Sequence, residues 1–472
     1  MSADEGASWA AASASSAGEV LRLHQRLNPA DIGLPDLVLH GWIAVCGESL
    51  AAMRALSAML GTFAIVLVFI LTRELQGVER GDSANRDEAA ESSEDPRGRE
   101  SGRPPSAEFS SQRELIGATA ALIFAVNLVT IKYSRQTRMY PLMLLAVLAQ
   151  FAYFIRAARR GGWRNYAGVT IFTAISLAAH PSALFAFTAE ALWVVYRLWR
   201  ERADFRQAIR WVCKLAGAVV LGLALLAPAL PTLIGATAHA AAHGALNWIT
   251  RPPWWEPIAL FNKGTGSFGF PVLALLAIAG AIGAWRGAAA RFCLLWMWAP
   301  PTIVLLFSYL VRPAFVERYL LSSFVPFFIL AAFGVWEIPN LWARWWKRRA
   351  VGRARNLVRA GTLALALVLA VAHVAAYRRK PHGPEWREAA RLAARPPGEN
   401  IAVAPGYAVD VVEYYLRRNG DGARPQRALP ADPAAPVLIL ADEGVPPEAA
   451  RRLAREYPRV MARPRGLVIR HR

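Results

Sequence analysis

The acidic pair Asp4-Glu5 and the turn Tyr133-Ser134-Arg135-Gln136-Thr137-Arg138-Met139-Tyr140 hold the residue types that most directly suggest chemistry. A carboxylate can take a proton as a general base, and arginine presents a planar fork of donors that matches phosphate. Taken bare, Asp4-Glu5 also reads as a frayed terminus, and Arg135 and Arg138 are equally suited to snorkelling toward lipid headgroups. The turn Arg312-Pro313-Ala314-Phe315-Val316-Glu317-Arg318-Tyr319 repeats the theme, with Arg318 close before an apolar run and Glu317 placed to pair with a neighbour. His180, next to Pro181, reads either as a satisfied structural group or as a ligand. Trp248, Trp254 and Trp255 accompany Arg251 and Lys263 in the 235–268 loop. They fit an interfacial belt better than a sugar-stacking platform. Cys46, Cys213 and Cys293 are scattered, which argues against a disulfide framework or a CxxC metal site.

The elements that must position these residues are apolar. The chain of 472 residues is 55% hydrophobic, with mean hydropathy +0.26, too apolar for a soluble protein of this size. Ten stretches read as spans, near 52–73, 114–132, 140–156, 165–179, 182–198, 212–234, 269–285, 292–311, 319–338 and 358–377. Most approach the roughly 20 residues a helix needs to cross the hydrocarbon core; the fourth and fifth are short and meet at His180-Pro181, read as two spans joined by a tight turn. The net charge of +20 collects in alternate gaps: Arg156 to Arg164, Arg197 to Arg210, Arg286 and Arg291, Arg344 to Arg359. By the positive-inside rule those gaps are cytoplasmic, which excludes nucleic acid as the reason for the charge. Ten crossings then put both termini, the Tyr133–Met139 and His180 turns and the 312–318 turn on the outer face of the cytoplasmic membrane.

From about 379 the character changes. ENIAVAP, APVLILADE and RGLVIRH read as strands, and EWREAARLAA and PPEAARRLAREY as helices, a small α/β domain without a phosphate-binding glycine loop or nucleophile elbow. The expected fold is therefore mainly α, a polytopic transmembrane helical bundle with a small C-terminal α/β extracytoplasmic domain. Its parts are an extracytoplasmic first loop with the acidic pair (1–51), a first span (52–75), a polar cytoplasmic loop expected to be disordered (76–113), the transmembrane core (114–378) and the outer domain (379–472).

Five segments occur in a telling order: Asp4-Glu5 followed by Asn28-Pro29, Leu34-Pro35, Trp42 and Gly47-Glu48-Ser49; Ala52-Met53-Arg54-Ala55-Leu56-Ser57-Ala58 opening a span; the Tyr133–Tyr140 turn; Glu317-Arg318-Tyr319-Leu320 before a Pro-bearing apolar run; and Glu385-Trp386-Arg387-Glu388-Ala389 opening the outer domain. In these the chain resembles the GT-C membrane glycosyltransferases, specifically bacterial relatives of protein O-mannosyltransferases and aminoarabinose transferases (the dolichyl-phosphate-mannose-protein mannosyltransferase family). The resemblance covers most of the chain. It implies transfer of a sugar from a polyprenyl-phosphate carrier to an acceptor hydroxyl on the outer face, with inversion. It implies Asp4 as the general base with Glu5 beside it, and Arg138, Tyr140, His180, Arg318 and Tyr319 as substrate-binding residues. The implied partners are the lipid-linked sugar donor, membrane lipid and an acceptor that is a glycolipid, a polysaccharide or a protein. No ligand cluster demands a metal, while relatives differ in metal use, so a divalent ion stays open as a cofactor. In that family a transmembrane helix precedes the acidic pair, and MSADEGASWAAASASSAGEV carries no basic and apolar leader, so a helix encoded upstream of Met1 is expected. Two other classes compete. A transporter or flippase would show midplane charges and inverted repeats, whereas the spans read as nearly free of internal charge. A non-catalytic membrane scaffold fits if the preceding helix is missing.

Overall fold

The computed structural model describes residues 1–28, 31–91, 107–200, 205–231, 234–235, 238, 249–285, 287–345, 352–379, 383–394, 400–421, 425–428 and 435–472. The fold is mainly helical, with many apolar helices and one small sheet near the C-terminus. Two compact units divide the chain. The first comprises Met1–Ser57, Arg135–Met139 and Arg378–Arg472, and the second Ala58–Ser134 and Tyr140–Tyr377.

The first unit joins segments far apart in sequence, so the 1–51 loop and the 379–472 domain share one body. Helix Ala3–Ala12 starts at a capping box: the Ser2 hydroxyl accepts from the Glu5 amide at 3.2 Å and the Glu5 carboxylate accepts from the Ser2 amide at 2.7 Å. Two otherwise orphaned donors are satisfied in this way. Trp9 on the same helix meets Tyr414 edge-to-face, with ring centroids 5.2 Å apart. Gly6 faces helix Val409–Arg418 so closely that a Cβ would lie 2.6 Å from the Val411 nitrogen. The sheet runs β2-β1-β3-β5-β4, with β1 Ile401–Ala404, β2 Pro425–Arg427, β3 Val437–Ala441, β4 Arg459–Ala462 and β5 Leu467–His471. β1 lies parallel to β2 and β3, and β5 antiparallel to β3 and β4. β1 and β3 are buried along their whole length, which is why they are uninterrupted apolar runs in the sequence. The three expected strands and two expected helices are all present; β2, β4 and helix Val409–Arg418 complete the unit.

All ten predicted stretches overlap helices among the described residues. Among the described residues five segments are long and apolar enough to cross a membrane: Leu50–Gly77, Tyr140–Arg160, Ala288–Leu310, Glu317–Ala343 and Arg353–Arg379. Two bent pairs raise the count to seven, against the ten expected. In the first pair, Ser111–Val126 and Leu128–Ser134 meet at 62°, because Asn127 caps the second helix with its side-chain oxygen on the Val129 amide at 3.3 Å. In the second, Glu256–Thr265 and Gly269–Gly283 meet at 114°, after Gly266 turns the chain with a φ of 85° that other residues rarely adopt. The stretch at 165–179 falls short, since helix Trp163–Ala179 has only 17 residues; those at 182–198 and 212–234 lie in helices Ala183–Arg200 and Phe205–Ala224, next to residues outside the described ones. Helix Leu50–Glu91 runs on beyond its apolar part and Ala107–Val126 begins early, so both enter the segment expected to be a disordered loop; 92–106 lie outside the described residues. Gly280 and Gly334 let helices Gly269–Gly283 and Phe324–Trp345 touch backbone to backbone. A Cβ at Gly280 would meet the Leu330 carbonyl and one at Gly334 the Leu276 carbonyl, the close approach that small residues permit between apolar helices.

Candidate active site

In the first unit, Asp4 and Glu5 occupy the first turn of helix Ala3–Ala12 and differ sharply in setting. Asp4 is exposed and Glu5 buried. Arg54 grips the Glu5 carboxylate with both arms of its fork, Nε to Oε1 at 3.0 Å and Nη2 to Oε2 at 2.8 Å. The Thr137 amide adds a third donor at 3.0 Å and the Ser2 amide a fourth. Burial alone would raise the Glu5 pKa. The Arg54 pair and the two backbone donors outweigh it and hold the carboxyl below its ordinary value. Arg138 reaches the same turn, donating from Nη1 to the Asp4 carbonyl oxygen at 2.8 Å and to the Ser8 hydroxyl at 3.4 Å. Arg135, three residues before it in sequence, is exposed. Three sequence-predicted residues, Asp4, Glu5 and Arg138, are thus brought together.

Behind them lies a group absent from the sequence reading. The His24 ring stands between two carboxylates, with Nδ1 2.6 Å from Asp36 and Nε2 2.6 Å from Asp31, all three buried. The Asp31 contact is close but poorly aligned for a hydrogen bond. Burial would lower the His24 pKa; the two aspartates outweigh that and push it up to about 10, so the ring is an imidazolium. Burial raises the Asp36 carboxyl against the pull of His24, while Arg138 draws it down. The triad and the Asp4 turn are therefore linked through the field of Arg138. Gly33 closes this corner: its φ is 87°, and a Cβ there would lie 3.0 Å from the His24 ring. The aspartates address opposite nitrogens of one ring, so their oxygens do not converge. Among the described residues no group of His, Cys, Asp or Glu forms a metal site.

The second unit holds the remaining predicted residues. Tyr133, Tyr140, His180 and Tyr319 form a row of rings with successive centroid distances of 5.6, 6.0 and 5.0 Å. His180 caps helix Trp163–Ala179 in extended conformation, as expected of a residue before proline. Its Nδ1 accepts from the Ser182 amide at 3.1 Å, which leaves the proton of a neutral ring on Nε2. Glu317 accepts from Lys132 at 3.0 Å and from the Tyr133 hydroxyl at 3.1 Å. The Arg318 guanidinium lies 5.8 Å from the Tyr319 ring centroid. A row of aromatic faces edged by Lys132 and Arg318 can stack on a ring or an isoprenoid and attract an anion. The cavity beside it, lined by Tyr133, Thr130, Tyr140 and Phe324, measures about 20 Å³, room for a single water.

Sequence reasoning missed four things. Arg54 was visible only as part of a span opening. Lys132 looked like the end of an apolar run. The His24 triad is spread through a polar loop. Glu190 is buried in a helix belonging to spans read as nearly free of internal charge, where its Oε2 accepts from Gln150 at 2.9 Å. Only the last carried a clear signal, since an ionisable residue within an apolar run is a functional candidate by default.

No protein-family model matches the chain, and no curated protein matches it by sequence. Among solved structures, the chain is similar to the crystal structure of ArnT from Cupriavidus metallidurans in the apo state, at 11% identity and TM-score 0.49, over 99% of this chain and 93% of that one. Similarity at that level identifies neither donor, acceptor nor catalytic base.

Proposed function

We propose that the chain is a membrane glycosyltransferase of the GT-C type, transferring a sugar from a polyprenyl-phosphate carrier to an acceptor hydroxyl on the outer face of the cytoplasmic membrane. Asp4 takes the proton from the acceptor hydroxyl. The acceptor oxygen bonds to the anomeric carbon from the face opposite the phosphate, and the bond to the carrier oxygen breaks with its electron pair, releasing polyprenyl phosphate and inverting the sugar. Glu5 is a positioning residue in this scheme, because its carboxylate is already taken by Arg54 and by the Ser2 and Thr137 amides. Arg138 holds the Asp4 turn and adds positive charge beside it. Tyr140, His180, Arg318 and Tyr319, in the second unit, are assigned to the lipid carrier by the resemblance alone.

The observation that carries the reading is the contrast within the pair: an exposed carboxylate on a helix turn whose neighbour is buried and fully engaged. A frayed terminus would not hold Asp4 in this way, and catalysis needs a base fixed to a fraction of an ångström. The test is turnover of a panel of polyprenyl-phosphate hexoses and pentoses, read as release of polyprenyl phosphate in the presence of membrane extract as acceptor. Asp4→Asn should lower the rate by at least about 100-fold with the fold intact. Undiminished turnover would remove Asp4 from the chemistry.

A further inference from the structure

A second polar site lies at the other end of the second unit's helices. Helix Tyr140–Arg160 has 21 residues, so its arginine end is roughly 30 Å from Tyr140. There Glu74 accepts from Arg156 Nε at 2.9 Å, Arg159 Nη1 at 3.1 Å and Arg160 Nη2 at 3.2 Å. With Arg73, Arg113 and Ile70 these residues line a cavity of about 280 Å³. Five guanidinium groups therefore face one carboxylate. Arg73 has a loose 3.4 Å pair with Glu114, both half exposed. Each guanidinium carries five donors and a carboxylate about four acceptor sites, so donors far outnumber acceptors in the cavity lining. The site is also shaped: a Cβ at Gly77 would meet the Arg159 guanidinium, which lies across the bare helix.

We infer that this cavity binds the phosphate group of an anionic membrane lipid. Arginine forks fit phosphate oxygens two at a time, and an anion relieves the mutual repulsion of five half-buried cations. The lipid source, rather than free phosphate, follows from the surface next to the cavity. Phe63, Val66 and Ile70 stand three and four residues apart on helix Leu50–Glu91, and so on one face. Phe63 and Val66 are each 51% exposed, and Ile70 lines the cavity. This apolar stripe gives an acyl chain a track that ends at the arginines, the arrangement of basic pockets at helix ends that hold acidic headgroups. The site is independent of sugar transfer and survives if that reading fails.

The experiment is native mass spectrometry of the full chain in neutral detergent, titrated with phosphatidylglycerol, phosphatidylcholine or inorganic phosphate. Phosphatidylglycerol should bind saturably and phosphatidylcholine should not. Arg73→Gln with Arg113→Gln leaves the Glu74 network untouched. It should weaken phosphatidylglycerol binding by about 30-fold, from about 5-fold per arginine, at an unchanged Tm without lipid. Phe63→Ser with Val66→Ser should weaken the lipid and leave any binding of inorganic phosphate alone. Equal binding of the two lipids, or no loss in the arginine variant, overturns the site. Inorganic phosphate binding as tightly as phosphatidylglycerol overturns the lipid assignment.

Discussion

Replacing Arg54 by Met tests the hinge of the candidate active site. Glu5 has a side chain 2% exposed, whereas Arg54 is 34% exposed. Breaking a fully buried pair by removing one partner costs about 3–5 kcal/mol, because the other charge is stranded. Solvent reaching Arg54 screens part of that, so about 2 kcal/mol is the expected loss. For a unit of 150–250 residues this corresponds to a fall in Tm of about 4–8 °C. The sign with pH is fixed by Glu5. Its folded pKa is depressed, so the stabilisation is present above the ordinary carboxyl range and is lost as pH falls through the folded value. The gap between wild type and Arg54→Met should therefore be full at pH 7 and close in acid as Glu5 protonates. Glu5→Gln with Arg54→Met together should recover part of the loss, since no charge is left buried. The assay is thermal unfolding in one detergent at one scan rate, because irreversible unfolding makes Tm rate-dependent. A Tm within 1 °C of wild type, or a gap unchanged between pH 7 and pH 4, would refute the idea that Arg54 holds the Asp4 turn through Glu5.

Three further outcomes follow from the same geometry. The His24 pKa is raised, so its stabilising contribution is complete below about 6.5 and is lost as pH climbs through about 10; His24→Leu strands Asp31 and Asp36 and should cost about 3–5 kcal/mol near pH 7, read as a Tm loss that narrows at alkaline pH. Gly6→Val should separate helix Ala3–Ala12 from Val411 and expose Trp9, seen as a red shift in tryptophan emission; a spectrum matching wild type would count against that contact. Gly334→Leu should prevent the backbone contact with Leu276 and abolish recovery of folded protein, whereas Gly217→Leu, with nothing within 4 Å of its Cβ position, should be tolerated.

The apolar course of the chain was legible because hydrophobic length is a local property. All ten stretches overlap helices among the described residues, and the strands around Ile401, Val437 and Leu467 announced themselves as unbroken apolar runs. The number of crossings was less legible. Asn127 and Gly266 break two stretches by local capping and backbone geometry, which a hydropathy window averages away. Pairings were the least legible. Glu5 finds Arg54 49 residues on and the Thr137 amide 132 residues on, and nothing local marks a glutamate as buried. His24, Asp31 and Asp36 look like solvated loop residues until helix Leu34–Cys46 brings its Asp36 against His24 on helix Ala17–Leu27. Tyr140, His180 and Tyr319 were singled out as turn residues and do share one row of rings.

The composition of the first unit has a consequence during synthesis. Tyr414, the partner of Trp9, is made roughly 400 residues after it, about 20–80 s at ordinary elongation rates. For that interval the helix bearing Asp4 lacks the surface that Val409–Arg418 supplies, and Thr137 arrives about a third of the way through to offer Glu5 one of its donors. The nascent chain therefore has to keep helix Ala3–Ala12 soluble until Val409–Arg418 is made. Ribosomes stalled before residue 409 should leave that helix open to protease, and protection should appear only once Val409–Arg418 has been extruded.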